Sequence, residues 1–513
     1  MRKTLATLLL GTSLLTTSCS KNDATTTASP TTGETAHRVG YAEMQTVAPS
    51  PAAGSATDEG GESYHDWGKN PWVDTDKDHL STFAADVDTA SYTIARRKLE
   101  EGTLPPAAAV RVEEFVNYFR YSFAAPGPSS PFSVVMEAAP SPLAPGRHVV
   151  RVGVATKALS TLERKPASLV FLVDVSGSMS SPDKLGLAKQ ALRILTNNLT
   201  EADTVSLVTY AGSTRVVLEP TNDRAKIMAA LEDLVSAGST GMAWGIDLAY
   251  QQAMAGVRPG HIARVIVLSD GDANVGPHTH DDLLKIIAGR AKEGVTLSTI
   301  GFGMGNYKDE LMEQLADKGN GNNFYIDSLD AAKRVFQEQL TANLEVVAKD
   351  VKLQVDFDPA MVARYRLVGY ENRDVKDDDF RDDKVDAGEI GAGHQVTALY
   401  EVELTAKGKQ ARAPLGSVRI RHKQPEGAQA TEAAFPMAGG PAASFANASA
   451  DFRFAFAAAA FADVLRGGQD AEHWSLADIR EIAQLAAGDS AERKELVGLI
   501  DRAIAIKGRT ASR

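Results

Sequence analysis

Ser168-Leu-Val-Phe-Leu-Val173, running into Asp174-Val-Ser176-Gly-Ser178, decides how the rest of the chain is read. So dense an apolar run has the pattern of a strand buried on both faces of a parallel sheet. At its carboxyl end the chain turns and presents one carboxylate and two hydroxyls, all oxygen donors. A second such run, Ala263-Arg-Val-Ile-Val-Leu-Ser269, ends at Asp270, and Thr240 lies between them in Gly238-Ser-Thr-Gly241. Strand patterns over 168–174, 203–210, 215–219, 263–269, 295–301 and 323–326 alternate with helical ones near 184–199, 222–235, 242–255, 280–293, 308–317 and 330–343. That alternation predicts an α/β fold: a doubly wound, mostly parallel sheet with helices on both faces. The short strand 215–219 follows a tight turn and is expected as an antiparallel edge. Ligands in this architecture bind outside the carboxyl ends of strands where the winding reverses, and Asp174 and Asp270 both occupy such ends.

The flanks read differently. Phe132–Met136 and His148–Ala155 alternate as strands before the central region, and 351–357, 396–404 and 416–421 do so after it. The central region is therefore expected to be inserted into one flanking β-sandwich contributed from both sides. Helical segments frame it. Asp88 is expected to cap a helix over 89–99, and a second helix begins near Val110 with Val112, Phe115, Val116 and Phe119 on one face. Residues 449–467, 475–487 and 490–506 read as three closing helices whose apolar faces are core.

Arg2-Lys3, the apolar stretch Thr4–Leu15 and Thr16-Thr-Ser-Cys19 form an export signal, too short for the ~20 apolar residues of a membrane span. Small residues before Cys19 resemble a bacterial lipobox, although Thr16 stands where leucine is usual. The resemblance implies cleavage after residue 18 and lipidation of Cys19, the only cysteine. Ser20 after the cysteine points to the outer membrane. Loss of residues 1–18 removes Arg2 and Lys3 but no acid, taking the net charge from −12 to −14. So acidic a chain is a poor partner for nucleic acid. Residues 19–64, rich in Thr, Ala, Ser, Gly and Pro, read as a disordered tether. The expected organisation is signal peptide 1–18, tether 19–64, an N-terminal domain 65–160, the central domain 166–345 and a C-terminal domain 346–510.

The pattern Asp174-x-Ser176-x-Ser178, Thr240, Asp270 resembles the metal-ion-dependent adhesion site of von Willebrand factor A (VWA) domains, whose fold is Rossmann-like. The resemblance implies Mg²⁺, or Mn²⁺ or Ca²⁺, held by those five residues. Hydroxyls outnumbering carboxylates suit a hard cation that keeps enough Lewis acidity to attract an external carboxylate. Ser176, Ser178 and Thr240 would bind it directly or through water, and Asp174 and Asp270 would hold those waters. A wider resemblance rests on Leu80-Ser-Thr-Phe-Ala-Ala-Asp-Val-Asp-Thr-Ala-Ser-Tyr92, Leu268-Ser-Asp-Gly-Asp-Ala-Asn-Val-Gly276 and Lys384-Val-Asp-Ala-Gly-Glu-Ile-Gly-Ala-Gly-His394. These are similar to bacterial VWA lipoproteins labelled calcium-activated chloride channel homologues. The implied role is non-catalytic: an envelope lipoprotein that binds a protein partner through the metal.

Two other roles compete, a regulatory subunit of an ion-transport or envelope assembly and a hydrolase. No His-Glu-x-x-His, Gly-x-Ser-x-Gly or phosphate-loop pattern supports the second. No later apolar stretch is long enough for this chain to form a channel by itself. His278 and His280 could serve zinc, but a loop leading to a helix capped near Asp281 is the simpler reading. The acidic run 377–383 lacks the spacing of a calcium loop and reads as a solvated hairpin.

Overall fold

The computed structural model describes residues 55–57, 61–85, 87–127, 130–239, 241–271, 279–385, 387–468 and 471–511. Cys19, the signal and most of the expected tether therefore lie outside the described residues, as do Asp86, Thr240 and His278.

The N-terminal segment supplies β1 (Leu80–Ala84), α1 (Ala90–Glu100), α2 (Val112–Asn117), β2 (Phe132–Pro140) and β3 (His148–Thr156). The central region follows with β4 (Ala167–Asp174), α3 (Leu187–Asn197), β5 (Thr204–Tyr210), β6 (Thr214–Thr221), α4 (Arg224–Glu232) and α5 (Met242–Met254). It closes with β7 (Ile262–Ser269), α6 (His280–Lys292), β8 (Val295–Gly301), α7 (Asp309–Lys318) and β9 (Asn323–Tyr325). The sheet order is β9-β8-β7-β4-β5-β6, parallel except for β6, the expected antiparallel edge. Winding reverses at β4, whose neighbours are β7 and β5, so the residues after β4 and β7 face one crevice. Strands β4 and β7 are buried almost throughout because helices cover both faces.

The chain then forms β10 (Val346–Phe357), β11 (Val362–Val368), β12 (Gly388–Gly391), β13 (Gln395–Leu404), β14 (Gly416–Lys423) and β15 (Ala430–Pro436). Two five-stranded antiparallel sheets result. In one, β1 and β12 share an edge of β10, with β14 and β15 beyond; in the other, β11, β13, β3 and β2 lie in order beside the short strand Val73–Asp74. Val150 pairs with Tyr400 and Phe83 with Leu353, so both flanks of the central region build the same sandwich. Side chains of the two sheets, among them Phe83, Val152, Leu353, Tyr400 and Ile420, meet in one core. Helices α8 (Ala450–Leu465), α9 (Leu476–Ala486) and α10 (Ala491–Ala511) join α1 and α2 in a further core rich in Phe and Ala.

Three local expectations are corrected. Asp88 does not cap α1: its carboxylate accepts the Asn323 N–H (2.9 Å) and pairs with Arg373 (3.2 Å). Glu114 instead accepts the Ser91 N–H at 2.8 Å, satisfying one open donor at that helix start. Helix α6 is capped not by Asp281 but by Thr279, in a capping box with Asp282. The run 377–383 is a 3₁₀ turn over Asp377–Arg381 rather than a hairpin. Its groups are satisfied separately: Asp377 by Thr82, the Asp379 and Asp382 carbonyls by Lys352, and Asp383 by Arg421.

Candidate metal centre

Strand β4 delivers Asp174 to the crevice, fully buried. Its Oδ1 accepts the Ser176 N–H at 2.8 Å, which folds the turn back on the carboxylate. The Ser176 and Ser178 hydroxyls then lie 2.9 Å apart. Asp270, equally buried, follows β7 beside Ser269, whose hydroxyl donates to Asp174 Oδ2 at 3.0 Å. Two carboxylates and two serine hydroxyls thus meet where the winding reverses. Thr240 lies outside the described residues, but the loop leading to it is pinned: Ala237 N–H donates to the Val175 carbonyl (2.7 Å) and Gly177 N–H to that of Gly238 (3.0 Å). Gly238 has φ +87°, and a Cβ there would stand 3.2 Å from the Gly212 nitrogen, so a glycine is needed at this approach.

Burial pushes the Asp174 carboxyl up to about 6; hydrogen bonds from Ser176 and Ser269 offset this only in part, and the Asp270 charge adds to it. Asp174 receives neutral donors only, whereas Asp270 Oδ2 accepts from the Lys184 ammonium (2.9 Å) and Asn306 Nδ2 (3.1 Å). Lys184 also donates to Asn306 Oδ1 at 2.7 Å. The donor chemistry fits a small hard cation: acidic and hydroxyl oxygens, with buried negative charge that one ammonium cannot fully balance. Among the described residues no group of three or more His, Cys, Asp or Glu is placed to hold a metal, so the serine hydroxyls are essential to any such site. His280 is occupied otherwise, its Nε2 lying 2.6 Å from Gln314 Oε1.

Lys184 and Asn306 were not singled out from the sequence. A signal existed, since a lysine in the opening helical turn after Pro182 is unfavourable at the positive end of a helix unless a carboxylate answers it. The aliphatic stem of Lys184 lies against Gly303 (φ +77°), where a Cβ would come within 2.2 Å of it. That loop is in turn held by the N-terminal segment. Arg97 donates to the Gly303 carbonyl (3.1 Å), and Glu62 accepts the Gly305 N–H (2.9 Å) while paired with Arg97 at 2.8 Å.

Comparison with known proteins agrees with this architecture. The model for the von Willebrand factor type A domain matches residues 168–338, one described as von Willebrand factor matches 58–151, and one for the C-terminal part of the uncharacterized protein YfbK matches 342–506. Uncharacterized protein YfbK of Escherichia coli (strain K12) is 39% identical over 471 residues, spanning 86% of this chain and 80% of its own. The chain belongs to the YfbK family of VWA-domain proteins. A UPF0353 protein of Mycolicibacterium paratuberculosis is 29% identical over 213 residues, 36% of this YfbK-family chain and 64% of its own. Among solved structures, von Willebrand factor type A from Catenulispora acidiphila is 19% identical over 72% of this chain and 89% of its own, with TM-score 0.41. The conserved hypothetical protein BatB from Bacteroides thetaiotaomicron is 22% identical over 34% and 96%, with TM-score 0.29.

Proposed function

We propose that this chain is an outer-membrane lipoprotein, anchored through Cys19, that binds a protein partner without catalysis. Asp174, Ser176, Ser178, Thr240 and Asp270 would hold a Mg²⁺ ion whose open position takes a carboxylate of the partner. The observation that carries the reading is the meeting of Asp174, Ser176, Ser178 and Asp270 at the strand ends, with hydroxyls supplying much of the oxygen. A bound divalent ion would supply electrostatic attraction for that carboxylate; the chain's own oxygens would set its position. Two large exposed side chains at the same end of the sheet, Trp244 (54% exposed) and Met304 (50%), offer apolar contact around such a carboxylate. Among the described residues no helix is long and apolar enough to cross a membrane, and the proposed attachment is the lipid on Cys19.

Cross-linking in whole envelopes tests the reading. Wild type is expected to capture a protein that Asp174→Ala does not, while both melt at the same temperature without Mg²⁺. Calorimetry should show Mg²⁺ binding by wild type alone, and identical cross-linked partners for both proteins would refute the proposal. Cys19→Ser should release the protein from the membrane fraction.

A further inference from the structure

At the end of the central sheet opposite Asp174, ahead of β8 and β9, a groove of about 890 Å³ runs between α6, the start of β10 and the segment before β12. Six lysines line it: Lys423, which is paired with Asp350, and five more, Lys285 and Lys292 on α6, Lys318 at the end of α7, Lys349 on β10 and Lys384. None of the five ammonium groups has a carboxylate within ion-pair distance among the described residues, although the chain as a whole carries −12. The acids of the same groove are all engaged. Asp350 pairs with Lys423 (2.6 Å), Asp383 with Arg421 (2.7 Å), and Glu389 accepts from Asn320 (2.7 Å).

The simplest competing explanation is that lysines at helix ends answer the helix dipole. Lys292 and Lys318 do close α6 and α7, but each helix end carries only about −0.5 charge, which together with the Glu389 carboxylate still leaves roughly three positive charges uncompensated. The groove walls are also held in an uncommon backbone. Asn320 and Asp350, both at φ 51°, are two of the three non-glycine residues with positive φ among those described, and both line it. The register of β10 slips between Lys349 and Lys352, where Asp350 turns.

We propose that this groove docks an extended acidic polypeptide segment of a partner protein. A groove suits an extended chain better than a planar bilayer. Its small lining residues include Ala288, Ala291, Gly294 and Ala428, with no aromatic ring on which a base or sugar could stack and no arginine to grip phosphate bidentately. Lysines on flexible stems around small apolar residues suit carboxylates spaced along an extended chain. The metal reading is not needed for this site, and neither depends on the other.

The test is fluorescence anisotropy of a labelled oligo-glutamate with the full chain, repeated across a salt series. Wild type should bind, more weakly as salt rises, and Lys285→Glu/Lys349→Glu/Lys384→Glu should lose about tenfold or more in affinity. Lys157→Glu, an exposed lysine elsewhere, should change nothing. If the triple variant melts early, Lys285→Glu/Lys384→Glu replaces it, since both side chains are exposed. Absent binding by wild type, or equal binding by the variants, overturns the proposal. Tighter binding of oligothymidylate or of phosphatidylglycerol vesicles than of the peptide overturns the choice of partner.

Discussion

Two regions of this molecule bury acids, and they treat them in opposite ways. In the seam between the N-terminal segment and the central domain, Glu62 is met by Arg97, Lys98 at 3.0 Å, the Tyr64 hydroxyl at 2.8 Å and the Gly305 N–H. Burial would raise its carboxyl, but Arg97 and those hydrogen bonds prevail and hold it at about 2. At the strand ends Asp174 is buried as deeply and receives only neutral donors from Ser176 and Ser269, and it is pushed up to about 6. An arginine-matched acid fixes the fold; an acid left to neutral donors keeps an appetite for a cation. Both side chains are almost fully shielded, so the partners decide the outcome.

The seam should break hardest. Arg97→Met leaves the Glu62 charge buried without its main partner and is expected to cost about 3–5 kcal/mol in urea unfolding. Glu62→Gln should remove the acid sensitivity of the same contact. Because the folded carboxyl sits below its ordinary 4.5, its stabilisation is present above pH 4.5 and is lost as pH falls toward about 2. Unfolding curves across that window should lose part of their slope in the glutamine variant.

A smaller effect is expected at the strand ends, where Lys184→Met removes the ammonium that Asp270 accepts from. Its loss should destabilise the metal-free protein and tighten Mg²⁺ binding by about tenfold, roughly 1.4 kcal/mol, since a like charge beside the ion disappears. Calorimetry showing weaker binding would make Lys184 a positioning group rather than a competitor. Smallest is Thr279→Ala, which strips the α6 capping box and should cost about 1 kcal/mol without altering Mg²⁺ affinity. It separates loss of a capping hydroxyl from loss of one within the site.

The parallel sheet was legible because β4 and β7 are covered on both faces and so read as unbroken apolar runs. Asp174, Ser176, Ser178 and Asp270 were legible because each terminates or follows such a run. Asp88 was misread because its partners, Asn323 and Arg373, are far away in sequence, and a carboxylate before a helix looks the same whether or not it caps. Lys184 escaped for a related reason: its value lies in Asp270 and Asn306, which the chain brings to it only on folding. Local pattern reports periodicity and turns well, and long-range charge pairing poorly.

The sandwich built from both flanks has a consequence for synthesis. Strand β3 emerges early, yet its partner β13 is made only after the whole central domain; Val150 waits for Tyr400. At 5–20 residues per second that interval is on the order of tens of seconds. During it β3 can pair with β2 alone, leaving one hydrogen-bonding edge open beside the growing chain. The newborn protein thus carries an unpaired strand edge until its last third arrives.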